Sequence, residues 1–126
     1  MKTRGILVAA AILAAATFLV ACGGPSGPVA TQPAGSVLVT ANLNLFAPTS
    51  VSAPADQAFT IWFENQENVP HNVRVADAAG ATVGEAGPIF NGPAAQPLDV
   101  PALAAGTYTL LCDVHPDMRA DLVAAN

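Results

Sequence analysis

The stretch TYTLLCDVHPDM, Thr107 to Met118, reads as a β-strand running into a turn-sized loop. Tyr108, Leu110 and Cys112 share one face at period two, so the Cys112 thiol is expected to point inward where the strand ends. His115 follows three residues later and Met118 three after that, with Pro116 between them removing one backbone donor and stiffening the loop. A thiol, an imidazole and a thioether at this spacing are the soft and borderline donors that suit copper. These residue types are scarce: Met118 is the only methionine after the initiator, and Cys112 and His115 are each one of two of their kind.

Upstream, Leu98 to Leu103 leads through Ala104-Ala105-Gly106 into this strand and is read as the first arm of a hairpin. Downstream, Arg119 to Ala124 supplies a final strand alongside. The second histidine lies 41 residues before Cys112, in Val69-Pro70-His71-Asn72-Val73. His71, Val73 and Val75 alternate with Asn72 and Arg74, which places the imidazole on the face of the core valines. A fold that joins the two loops completes a His2Cys set with methionine as a weak axial ligand.

A Cys-x2-His-x2-Met loop after an apolar strand, joined to a Pro-His-Asn-Val strand start, resembles the cupredoxins, the type 1 (blue) copper proteins. The short loop looks most like the amicyanin type, within the amicyanin/plastocyanin-like group. The resemblance implies one type 1 copper ion held by His71, Cys112, His115 and Met118. It further implies that Asn72 ties the two ligand loops together by hydrogen bonds, fixing ligand orientation. Fewer N–H bonds near the sulfur, as Pro116 provides, are expected in this family to raise the potential. Pro70 stands where some relatives have a glycine whose carbonyl approaches copper, so no fifth ligand is expected.

Elsewhere the pattern is also that of strands between Pro and Gly breaks. In Ser36 to Phe46, Val37, Val39, Leu43 and Leu45 give one apolar face. Pro48 and Pro54 bracket a short edge segment around Val51. After the Ala55-Asp56-Gln57 turn, Phe59, Ile61 and Phe63 face one way, with Trp62 on the other side as an outer-face packing residue. Asp77 to Gly80 is a turn. Gly84 to Pro97 is hard to place beyond a short strand around Ile89 and Phe90, which are read as capping the barrel end. No stretch has a convincing helical period. The expected fold is all-β, a Greek-key β-sandwich or barrel of seven to eight strands, over residues 36–126.

The N-terminus reads as an export signal. Lys2 and Arg4 precede an uncharged run from Ile6 to Ala21, and Leu19-Val20-Ala21-Cys22 looks like a bacterial lipobox. Residues 1–21 are thus expected to be a lipoprotein signal peptide, with Cys22 the lipidation site. The Gly/Pro-rich segment 22–35 is a disordered tether, its ends roughly 20 Å apart as a coil. With Cys22 lipidated, Cys112 has no partner for an intramolecular disulfide, and its neighbours favour metal.

Without residues 1–21, only Arg74 and Arg119 stand against nine acidic residues, a formal charge of −7. Nucleic acid is excluded as a partner, because phosphate binding needs a basic footprint. The expected role is a monomeric, membrane-tethered electron transport protein of the cell envelope, on the outer face of the cytoplasmic membrane or in the periplasm. It would exchange electrons with redox partners such as cytochromes or membrane oxidoreductases. A copper-binding carrier, storage or sensing module without electron transfer is the alternative. No catalysis is expected, since a trigonal site with a soft axial ligand leaves no open position and no acid/base pair accompanies it.

Overall fold

The computed structural model describes residues 30–126. The signal segment 1–21, Cys22 and the tether as far as residue 29 lie outside the described residues. Residues 30–35 contain no strand and end in a turn, where the backbone N–H of Ser36 donates to the carbonyl of Pro33 at 3.2 Å.

Among the described residues all regular structure is strand: β1 (Val37–Asn42), β2 (Leu45–Ala47), β3 (Ser50–Pro54), β4 (Phe59–Asn65), β5 (Pro70–His71), β6 (Arg74–Ala76), β7 (Phe90–Asn91), β8 (Ala94–Val100), β9 (Gly106–Leu111) and β10 (Arg119–Ala125). Two four-stranded sheets, ordered β2-β1-β4-β8 and β3-β10-β9-β6, form a sandwich. The two-residue strands β5 and β7 pair separately, so the count exceeds the seven to eight expected only through this short pair.

Period-two patterning explains the layers. Val39 and Ala41 of β1, Ile61 and Phe63 of β4, Val75 of β6, Leu98 and Val100 of β8, Leu110 of β9, and Ala120 and Leu122 of β10 all turn inward and are buried. Each large aliphatic side chain among them contributes about 1.5–3 kcal/mol by leaving water. Trp62 is buried but stands outside this core, opposite in phase to Ile61 and Phe63. Its indole N–H donates to Glu64 at 3.2 Å, in keeping with an outer-face packing role.

Two sequence expectations are corrected. The apolar face read from Ser36 to Phe46 breaks at Leu43-Asn44, a two-residue turn with φ of 55° and 56°. The chain reverses there, Ala41 pairs with Phe46, and Phe46 takes the buried place, leaving Leu43 78% and Leu45 62% exposed.

The hairpin expected between Leu98–Leu103 and Thr107–Asp113 is absent. β8 pairs with β4 in one sheet, whereas β9 lies between β10 and β6 in the other. Pro101, which has no N–H to donate, follows β8 directly, and the chain crosses between sheets with Leu103 buried on the way. Strand β8 also extends back through Ala94 to Pro97, a part the sequence left unplaced, and Pro97 is tolerated because β8 is an edge strand.

Candidate metal centre

Strand β9 ends at Leu111, and the alternation that buries Leu110 carries on to bury Cys112. The loop that follows is closed by its own backbone. The N–H of Met118 donates to the carbonyl of His115 at 2.9 Å, around a turn with Pro116 at its second position, where a fixed φ is favourable. The N–H of Cys112 donates to the carbonyl of Met118 at 3.3 Å, so β10 starts where the loop returns. Met118 is buried, His115 is half-buried, and Pro116 is exposed. Asn44, from the β1–β2 turn, lines the same shallow depression as His115 and Met118.

His71 arrives from the other side of the sandwich end on β5 and is fully buried. Its Nδ1 lies 3.9 Å from the Cys112 Sγ, and the His115 Nδ1 lies 3.8 Å from the same sulfur. All three donor atoms fall within 4.8 Å of one another, and the two imidazole rings are 4.6 Å apart between centroids. A first-row ion with bonds of about 2.3 Å to sulfur and about 2.0 Å to nitrogen, at 120°, sets those atoms about 3.7 Å apart. The spacing of the three side chains therefore fits one trigonal ion between them, and a set of two imidazoles and a thiolate fits copper.

Asn72, which the resemblance implies as a tie between the loops, bonds to both the Asp113 side and the Gly87 segment. Its Oδ1 accepts the Asp113 backbone N–H at 2.8 Å, and its Nδ2 donates to the Asp113 carboxylate at 2.7 Å and to the Gly87 carbonyl at 3.1 Å. Arg74 Nε donates to the other Asp113 oxygen at 2.7 Å. The Asn72 bond first, and then Arg74, hold the Asp113 carboxyl below its ordinary range against partial desolvation.

One residue escaped the sequence reading. Glu67 accepts a hydrogen bond from His71 Nε2 at 2.9 Å, on the ring nitrogen opposite Cys112. The backbone N–H of Asn44 donates to the same carboxylate oxygen at 3.1 Å. That amide, ahead of His71 and the amide of Leu43, holds the Glu67 carboxyl below its ordinary range. The only sequence signal is a carboxylate four residues before the histidine.

The loop that presents Glu67 is fixed from beneath by buried Asn65. Its Nδ2 donates to the carbonyls of Val69 and Phe90 at 2.8 Å each, and its Oδ1 accepts from Glu67 N–H at 3.0 Å. Gly92 closes the arrangement by donating its N–H to the Glu67 carbonyl at 2.7 Å. A Cβ at Gly92 would stand 2.0 Å from the Asn65 carbonyl oxygen, so only glycine fits there.

Around the site, Val69 and Val114 are partly exposed. Phe90 packs edge-on against Phe63 at 5.6 Å and caps the core as expected. Ile89 does not: it is 56% exposed.

A family model described as a cupredoxin-like domain matches residues 7–124. The chain is 31% identical over 120 residues to amicyanin-alpha of Methylorubrum extorquens, a match covering 95% of this chain and 98% of that protein. Among solved structures it is similar to amicyanin from Paracoccus versutus, with a TM-score of 0.57 and 27% identity, over 79% of this chain and 92% of that one. It shares its fold with auracyanin from Roseiflexus castenholzii, at a TM-score of 0.63 and 16% identity, over 75% of this chain and 100% of that one. The same holds for auracyanin A of Chloroflexus aurantiacus, described as a blue copper protein, at a TM-score of 0.61 and 22% identity, over 71% and 98% of the two chains.

Proposed function

The chain belongs to the cupredoxin-like domain family, and from that premise we propose that it is a type 1 copper protein that carries single electrons between redox partners in the cell envelope. The observation that carries this reading is the convergence of His71 Nδ1, Cys112 Sγ and His115 Nδ1 on one metal-sized gap. When bound there, copper supplies the one-electron couple between its two oxidation states. The protein's part is to hold the donors still, and two backbone bonds within the 112–118 loop and three side-chain bonds from Asn72 do so. Met118, buried in the same loop, would be the fourth residue to hold the ion.

The two histidines differ in access. His71 is sealed from solvent with both ring nitrogens engaged, whereas His115 is half-buried on the surface loop. Electrons therefore leave through His115, and partly exposed Val69, Val114 and Ile89 supply apolar surface for a redox partner. Three donors converging on one gap, with Met118 buried in the same loop, leave no evident open position for a substrate, which supports the role of a carrier rather than an enzyme.

Residues 1–21 act as the export signal, lipid on Cys22 anchors the protein to a membrane, and 22–35 tethers the domain of residues 36–126. Among the described residues, no helix is long and apolar enough to cross a membrane. Mass spectrometry of the membrane fraction tests the anchor: a diacylated N-terminal Cys22 peptide is expected, and an unmodified one refutes it. Voltammetry of the purified, copper-loaded protein tests the carrier role. A quasi-reversible one-electron wave together with an intense blue band supports it, and tight Cu(I) binding without the band would mean metal handling instead.

A further inference from the structure

The geometry points to Glu67, held by the β1–β2 turn, as a positioning residue that fixes the orientation and protonation of His71 and places a negative charge behind it. This inference deepens the copper reading, although one arm of its test does not depend on that reading.

His71 is fully buried, and each of its nitrogens has one neighbour: Nδ1 faces the Cys112 sulfur and Nε2 faces the Glu67 carboxylate. A neutral imidazole carries one N–H, and a carboxylate accepts it, so the proton belongs on Nε2 and the Nδ1 lone pair faces the sulfur and any bound metal. Ligand histidines are commonly oriented through the far nitrogen in this way, which also raises ligand basicity.

The unusual part is what holds the carboxylate. Asn44, whose amide donates to Glu67, sits in a two-residue turn with Leu43, and both residues take left-handed φ values. Leucine rarely adopts that conformation, so the turn is maintained against a local cost. Glu67 is also the acceptor at the end of a loop that Asn65 and Gly92 hold by four further bonds. Its carboxylate lies 2.9 Å from the ring nitrogen, so its charge acts on His71 at close range. A fixed anion behind a ligand favours the more highly charged oxidation state, so Glu67 lowers the reduction potential.

The test compares wild type with Glu67→Gln and Glu67→Ala. In 1H–15N spectra of the metal-free full chain, a slowly exchanging His71 Nε2 proton is expected in wild type and in Glu67→Gln, whose amide oxygen still accepts. It should be lost in Glu67→Ala, and its persistence there overturns the inference even if the protein never binds copper. In chelator competition, Glu67→Ala should bind copper about 10–100-fold more weakly. In voltammetry, Glu67→Gln should shift the potential upward, and a tenfold selective loss of the oxidised form corresponds to about 59 mV. A wild-type potential in Glu67→Gln overturns the charge role. Wild type without a blue band would instead sink the copper reading and leave the proton measurement to decide the positioning role.

Discussion

Asn72 and Asp113 are joined twice, by the Asp113 backbone N–H to Asn72 Oδ1 at 2.8 Å and by Asn72 Nδ2 to the Asp113 carboxylate at 2.7 Å. The residue after His71 is thereby fastened to the residue after Cys112. The sulfur and the buried imidazole cannot drift apart without breaking both bonds.

Replacing Asn72 by Ala removes these bonds and the one to Gly87, and leaves the Asp113 backbone N–H and the Gly87 carbonyl without that partner. A loss of about 2 kcal/mol is expected in urea unfolding of the metal-free protein. The copper-loaded variant should also show a broadened EPR spectrum, because the two ligand loops can then vary in separation. Wild-type stability together with a sharp spectrum would show that the tie is idle.

Gly92→Ala tests the packing beneath Glu67. The new methyl meets the Asn65 carbonyl at 2.0 Å and the Glu67 carbonyl at 2.8 Å, both backbone atoms that cannot swing aside. Overpacking of this kind costs about 1–3 kcal/mol, read as a lowered thermal midpoint. Gly92 has no positive φ, so its loss reads the clash alone, whereas Gly80→Ala, with nothing within 4 Å of its Cβ and a φ of 82°, reads conformational strain without a clash.

The Asp113 carboxyl titrates below its ordinary value of 3.8 because Asn72 and Arg74 favour the charged form. A depressed carboxyl contributes stability that is present above its unfolded value and lost as pH falls through the folded one. The metal-free protein should therefore lose stability below about pH 4. Asp113→Asn should unfold with a flatter pH dependence in that range, as followed by circular dichroism. An unchanged slope would mean that neither the Asn72 bond nor the exposed Arg74 pair favours the charged form enough to matter.

Much of this was legible in the sequence, for physical reasons that can be named. The ligand loop was readable because its donors are rare and local, and because strand alternation fixes which side Cys112 faces. The core strands β4, β9 and β10 were readable for the same reason. The exposed pair Leu43 and Leu45 misled because a two-residue turn preserves period-two lettering while reversing the chain. The crossing at Pro101 to Leu103 looked like a hairpin, since Gly106 is a turn residue and sheet membership is decided by distant partners. Glu67 was invisible because its role depends on an amide at Asn44, in another part of the chain.

Met118 is buried, so Met118→Ala should destabilise the metal-free protein by about 2–5 kcal/mol in denaturant. Met118→Gln fills the space and offers a harder donor, so it should retain a copper site with a lowered potential. A potential equal to or above that of wild type would remove Met118 from the ligand set.

The most direct measurement is the visible and EPR spectrum of the copper-loaded protein beside that of Cys112→Ser. One copper per chain, an intense blue band and a type 1 EPR signal are expected for wild type, with both lost in the serine variant while the β-sheet circular dichroism is kept. A colourless wild type, or a serine variant that stays blue, would contradict the assignment of Cys112, His71 and His115 as the copper ligands.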